Sequence, residues 1–289
     1  MKKLLFIITA AMLTATSAVE AKTKTNTSND RRERISPSEN IITEQHTIPT
    51  DFTKIEASYI VNVIVEDRND NTVTIRANEN IMPHIELSVE NGKLSARLDG
   101  KTVINMKNLV VEISVPNNNK ICSVRASGAS NITFVPNIQV PDFSASISGA
   151  SNLSVNLTTQ NCTLNLSGAS NAHINFDGGS FEAGVSGASG ITGSVNAIKS
   201  NIKLSGASKA TLDGKSDSAT VSVSGASAFG GFDFNTNICT ASASGASNAE
   251  IYCTGLFSAG ASGTSKVTYK GDCRVSSLST SGMSSIKQR

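Results

Sequence analysis

A hydrolytic or lyase site needs carboxylates brought together, to move protons or to hold calcium. From residue 121 onward the acids are Asp142, Asp177, Glu182, Asp213, Asp217, Asp233, Glu250 and Asp272, and they are scattered. Asp213 and Asp233 alone fall near one phase of the repeat described below, which would set them on neighbouring turns of the chain. Two solvated turn residues satisfy that spacing equally well. The three histidines, His46, His84 and His173, lie in three different sections, so nothing in the spacing supports a Ser-His-Asp triad. Serines are abundant, yet no Gly-x-Ser-x-Gly elbow occurs, and Ser284-Ser285-Ile286-Lys287 fits Ser-x-x-Lys without its companion motifs. Gly184, Gly187, Gly190 and Gly193 recur every third residue, but a phosphate loop needs a helix after it and none is expected here. The calcium-binding nonapeptide of other β-helices is absent. These observations predict a protein that is not an enzyme and has no cofactor and no metal site.

Five cysteines, Cys122, Cys162, Cys239, Cys253 and Cys273, are an odd number, which does not complete a disulfide framework. They also lack the close pairs of a zinc site. Cys122, Cys162 and Cys239 share an inward phase and read as small apolar residues. Cys253 and Cys273 stand about one repeat apart, so a disulfide between them fits an oxidising compartment.

The elements that must position all of these residues are set by one motif. Ser-Gly-Ala-Ser has its glycine at Gly128, Gly149, Gly168, Gly187, Gly206, Gly225 and Gly245, with degenerate copies around Gly263 and Gly282; the spacings are 21, 19, 19, 19, 19, 20, 18 and 19. A fixed period of this size marks a repeat architecture. Two, four and six residues before each glycine the positions are mostly apolar, as in Phe181, Ala183 and Val185. Four and six residues after it they are apolar again, as in Leu153 and Val155, with polar residues between. Each repeat therefore reads as strand, corner, strand, turn. An antiparallel meander and a parallel β-helix both satisfy this pattern. The alanine after the glycine favours the β-helix, if it fills an inward bend while the two serines point outward and stack. Asn131, Asn152, Asn171 and Asn248 would add a partial asparagine ladder. Nine such rungs make a rod roughly 40 Å long, wound right-handed. Thr220-Ser222-Ser224, Thr240-Ser242-Ser244 and Ser277-Ser279-Ser281 would give its last rungs a flat, hydroxyl-rich face.

Upstream, Lys2-Lys3, the apolar run Leu4–Leu13 and the small-residue site Val19-Glu20-Ala21 read as a signal peptide over residues 1–21, cleaved after Ala21. Residues 22–47 read as a disordered polar linker. Residues 48–120 read as an N-terminal β section without the serine motif, and residues 121–289 as the repeat β-helix. A net charge of +2 gives no reason to expect nucleic acid as a partner, and no stretch of the mature chain is long and apolar enough to cross a membrane as a helix.

The leader, the N-terminal strands, the turn into Val115-Pro116 and the serial Ser-Gly-Ala-Ser motif together resemble the head GIN domain family, secreted bacterial proteins of adhesin type. The resemblance covers about residue 48 to the end. It implies an all-β, right-handed parallel β-helix in the cell envelope of a Gram-negative bacterium, located in the periplasm, on the outer-membrane surface or outside the cell. It carries no catalytic or ligand residues to transfer. The expectation is an exported, non-enzymatic adhesin or binding module. Its partner would be a glycan or an envelope or host-surface protein, and its last rung offers an unpaired edge for end-to-end self-association. The alternatives are a carbohydrate-active β-helix enzyme and a structural or assembly rod.

Overall fold

The computed structural model describes residues 34–49, 51–100, 103–117 and 120–289. The expected signal peptide over residues 1–21 and its expected cleavage site after Ala21 lie outside the described residues. Every described strand from Ser123 onward runs parallel to its neighbours, and the repeat region is a right-handed parallel β-solenoid. Its central rungs are the strands Asn152–Leu166, Asn171–Val185, Gly190–Leu204 and Lys209–Val223. They stack in strict register: Asn152 pairs with Asn171, Asn171 with Gly190, and Gly190 with Lys209. The apolar phases face a continuous core, for instance Leu153, Val155, Leu164 and Leu166. Phe176 and Phe181 meet inside one rung with ring centroids 5.4 Å apart.

Each rung has one corner where the sequence reading has two breaks. The strand Asn152–Leu166 runs unbroken through the place where a second turn is expected. The bend is absorbed by inward hydroxyls: Thr159 Oγ1 donates to Asn161 O at 3.1 Å and Ser216 Oγ to Ser218 O at 2.9 Å. Both side chains are buried, so the hydroxyl satisfies a carbonyl that the bend turns inside.

The Ser-Gly-Ala-Ser corner is also built differently from its expected form. Its alanines, such as Ala150, Ala169, Ala188 and Ala207, are exposed. The second serine is the residue that turns in: Ser130, Ser151, Ser170 and Ser189 are 0–2% exposed. Ser170 Oγ donates to Ser167 O at 2.9 Å, and Ser170 N donates to Ser189 Oγ of the next rung at 3.3 Å. The inward serines thus form a buried ladder that caps backbone groups freed by the corner. A polar residue goes inside because the turned backbone needs a partner there. The glycine is required for two reasons. Gly187 has φ +72°, and a Cβ on it would lie 2.5 Å from the carbonyl oxygen of Gly168. That close approach lets Ala188 N donate to Gly168 O at 2.7 Å, so the ladder continues through the corner.

The N-terminal strands are rungs of the same solenoid. Lys54–Ser58 stacks parallel on Ser123–Ala126, and Asn62–Glu66 on the start of Asn131–Gln139. Between them Tyr59, at φ +69°, takes the place of the motif glycine beneath Gly128. Lys93–Leu98 and Val111–Pro116 stack parallel on the far side of that rung, so spatial order departs from chain order. Antiparallel strands Thr72–Asn78 and Ile85–Glu90 pair with this outermost layer. Ile41–Thr47, inside the expected linker, is a strand antiparallel to Thr72–Asn78, and Arg34–Ile35 pairs with Val103–Ile104. A polar segment is ordered there because an open sheet edge supplies the hydrogen bonds that its composition alone does not suggest.

Candidate functional site

The outward residues of stacked rungs form rows along the rod. Three residues after the corner glycine, the row reads Asn131, Asn152, Asn171, Gly190 and Lys209, and the N-terminal rung adds Asn62 at its head. The asparagines hydrogen-bond in one direction. Asn131 Nδ2 donates to Asn62 Oδ1 at 2.5 Å, Asn152 Nδ2 to Asn131 Oδ1 at 2.7 Å, and Asn171 Nδ2 to Asn152 Oδ1 at 3.3 Å. The ladder stops at Gly190, which has no side chain to continue it. The expected fourth member, Asn248, stacks between Ala228 and Lys266 and stands off the ladder.

This row lies in a groove of about 790 Å³ that runs along the rod from the Asn62 rung to the Lys209 rung. The exposed motif alanines Ala188 and Ala207 form part of its wall, and their small side chains keep it open. On the other side stand Ser154, His173, Thr192 and Thr211; His173 Nδ1 lies 3.3 Å from Thr192 Oγ1. Glu112 sits at one end and Lys209 at the other, and Lys209 has no carboxylate partner among the described residues. The groove therefore offers amide donors and acceptors at strand spacing of about 4.8 Å, with hydroxyls beside them and one free ammonium.

The hydroxyl-rich face expected on the last rungs is also aligned. Thr220 pairs with Thr240 and Ser222 with Ser242, and Ser242 Oγ donates to Ser222 Oγ at 3.1 Å. A second concavity of about 470 Å³ lies further along that side, between Ser146 and Ser224, with Lys203 in it. Lys203 Nζ is 3.9 Å from Glu182 Oε1.

Asp213 and Asp233 are paired on neighbouring rungs, as their phase suggests, and both side chains are exposed. His46, His84 and His173 have separate partners: His46 contacts Glu44, His84 contacts Asp99, and His173 lies in the groove beside Thr192. Among the described residues, no group of three or more His, Cys, Asp or Glu side chains is arranged to hold a metal ion. Cys162, Cys239 and Cys253 are buried, and Cys122 and Cys273 are half-buried. Burial pushes the Cys162 thiol up to about 12. That makes it an inert packing residue, as its phase suggests. The groove itself has a trace in the sequence, the asparagines that recur with the repeat. Its head at Asn62 has none, because Tyr59 hides that rung's corner.

Residues 51–187 and 169–273 match a protein family described as "Putative auto-transporter adhesin, head GIN domain". No curated protein matches the chain in sequence. Among solved structures, the chain is similar to a "putative adhesin" from Parabacteroides distasonis, with 15% identity, a TM-score of 0.68, and 89% of this chain and 100% of that one covered. A "putative adhesin" from Parabacteroides merdae gives 16% identity and a TM-score of 0.65 over 89% of this chain and 99% of that one. A "putative lipid binding protein" from Parabacteroides distasonis gives 16% and 0.67 over 89% and 100%. At these identities the structural likeness carries the fold. The two family matches together run from the Lys54 rung through the Lys266 strand, with the whole groove inside them: the chain belongs to the head GIN domain family.

Proposed function

We propose that this chain is an exported, non-enzymatic binding module of the cell envelope, and that the groove beside the asparagine ladder holds an extended glycan. The groove is the observation that carries this reading. Sugar hydroxyls both donate and accept, and so do the amides and hydroxyls that line it. Each contact replaces one made with water, so single contacts contribute little and affinity comes from the number of rungs engaged. The adhesin names of the family and of two similar structures support a binding role. Periplasm, outer-membrane surface and extracellular medium are all compatible with it.

The test is a glycan screen on residues 34–289, followed by calorimetry on any ligand found. Asn152→Ala and Lys209→Ala are each expected to weaken binding about tenfold. Ser242→Ala, on the other side of the corner, should leave it unchanged. Binding that survives the groove variants moves the site elsewhere, and a protein or lipid-vesicle ligand in place of any glycan overturns the reading.

A second reading, end-to-end self-association, is favoured by the last rung. Val275 and Leu278 are 40% and 44% exposed, whereas Ala259, in the phase of Leu278 one rung earlier, is 6% exposed. Over residues 266–289 the charged side chains are Lys266, Lys270, Arg274, Lys287 and Arg289 against a single acid, Asp272. Like charge opposes docking of two copies, as charged residues commonly guard a sheet edge. Pairing is therefore expected only where salt screens these charges. Small-angle scattering at low and high ionic strength checks this, and a monomer under both conditions removes it.

A further inference from the structure

The last rung pairs with a neighbour on one side only among the described strands. All seven residues of its strand Arg274–Thr280 are exposed. Immediately before that strand stands Cys273, half-buried and packed against the core. The strand Asn248–Ala261 pairs with Lys266–Lys270 as far as Tyr252–Lys270, and pairing resumes at Leu256–Arg274. Residues 253–255 and 271–273 therefore bend together, one rung apart, with Cys253 and Cys273 in the same bend. Gly271 has φ +108°, and its backbone is pressed against the carbonyl of Cys253 so closely that no Cβ would fit. The Cys253 side chain is fully buried, its Sγ donates to Asn237 O and Leu256 O at 3.4 Å, and Cys273 stands on the adjacent rung within the same bend.

We propose that Cys253 and Cys273 form a disulfide in an oxidising compartment and so pin the last rung to the one before it. This rests on the reading that the chain is exported. The oxidant is a small disulfide such as oxidised glutathione, or a thiol–disulfide oxidoreductase. The Cys273 thiolate attacks it, forming a mixed disulfide and releasing one thiol. Cys253, deprotonated, then attacks the Cys273 sulfur and releases the second. Two thiols lose two protons and two electrons, and the oxidant takes up both. Burial, and next to it the Cys253 thiol, hold Cys273 above the usual thiol range, so the first step speeds up as pH rises. Burial pushes the Cys239 thiol up to about 12, which disfavours the thiolate that would have to react.

Reduced protein is treated with oxidised glutathione at mildly alkaline pH, alkylated and weighed. The expected product has three alkylated thiols and two hydrogens fewer. Trypsin should release Gly271–Arg274 bound to Ser216–Lys266, a peptide that contains both Cys239 and Cys253. The link should persist in Cys239→Ala and vanish in Cys253→Ala and Cys273→Ser. Oxidation should slow proteolysis within residues 274–288 about tenfold. Five alkylated thiols, a link that needs Cys239, or unchanged proteolysis each overturn the proposal. A link that forms in the test tube but is missing from protein isolated from its own cell envelope overturns only the exported reading. Glycan binding is measured separately on Cys273→Ser, whose change lies away from the groove.

Discussion

Gly184 and Gly187 are three residues apart and carry different duties. Gly187 sits at φ +72° with its neighbour's carbonyl where a side chain would begin. Gly184 is extended, and a Cβ there meets Asn165 Oδ1 at 3.2 Å, the end of a side chain that can turn away, and Leu164 O at an ordinary 4.0 Å. Gly187→Ala is therefore expected to destabilise the protein by about 3 kcal/mol or more. Gly184→Ala should change stability by less than about 0.5 kcal/mol, since it also restricts the unfolded chain. Chemical denaturation of the two variants makes the comparison, and equal effects would show that the corner tolerates a side chain. The serines on either side of the glycine divide in the same way. Ser186 Oγ reaches Leu166 O at 3.2 Å from a half-exposed position, while Ser189 is buried and accepts from Ser170 N. Two residues of one type in one motif thus do different work, and only the inner one satisfies a backbone donor that water cannot reach.

Rungs differ from one another mainly by what covers them. At the N-terminal end, Thr72–Asn78 and Ile85–Glu90 close the outermost layer with antiparallel pairing. At the C-terminal end Arg274–Thr280 and Ser285–Gln288 have a neighbour on one side only among the described strands. Local opening should follow this asymmetry. Amides of Arg274–Thr280 are expected to exchange with deuterium at least about tenfold faster than those of Gly190–Leu204 in reduced protein. Uniform protection would mean that something else covers the end. Two outward rings near it, Phe232 and Tyr252, lie under Lys270 Nζ at 5.5 and 4.8 Å, and Arg289 covers Phe232 at 5.1 Å. These cation–π contacts tie the last rungs together on their outer side at modest gain.

Along the whole rod each rung hydrogen-bonds mainly to the rungs on either side of it, so stability is close to a sum over rungs and interfaces. The register from Asn171 to Gly190 to Lys209 is a plain repeat of 19 residues. Removing residues 190–208 joins Ser189 to Lys209 and sets Lys209 directly on Asn171. This shortened chain is expected to fold, with a rod about 4.8 Å shorter. Removing one residue fewer shifts inward side chains outward and should abolish folding. Circular dichroism and small-angle scattering distinguish the two. In the shortened chain the groove loses its glycine gap and the ammonium of Lys209 abuts the asparagine ladder, so glycan binding there reads the role of that gap.

The rungs were legible in the sequence because stacking places like on like. Leu153, Ala172, Ile191 and Ala210 occupy one phase, and a parallel solenoid turns that period directly into a core. The alanine of the motif pointed to the right fold for a wrong reason, since it lies outside. Polarity alone cannot say which serine turns in; the hydrogen bond from Ser170 N to Ser189 Oγ exists only once two rungs are stacked. Tyr59 was illegible as a corner because nothing in its type suggests φ +69°; its stacking beneath Gly128 fixes that angle. The order of the first rungs was hidden for a related reason. Lys93–Leu98 lies on Lys54–Ser58 from the side opposite to Ser123–Ala126, and such a choice is made by which edges are free when the chain arrives. The period, the inward phases and the asparagine row belong to the sequence, being repeated local choices. The buried serine ladder, the interleaved N-terminal rungs and the groove belong to the tertiary structure, because each arises from residues brought together by stacking across rungs.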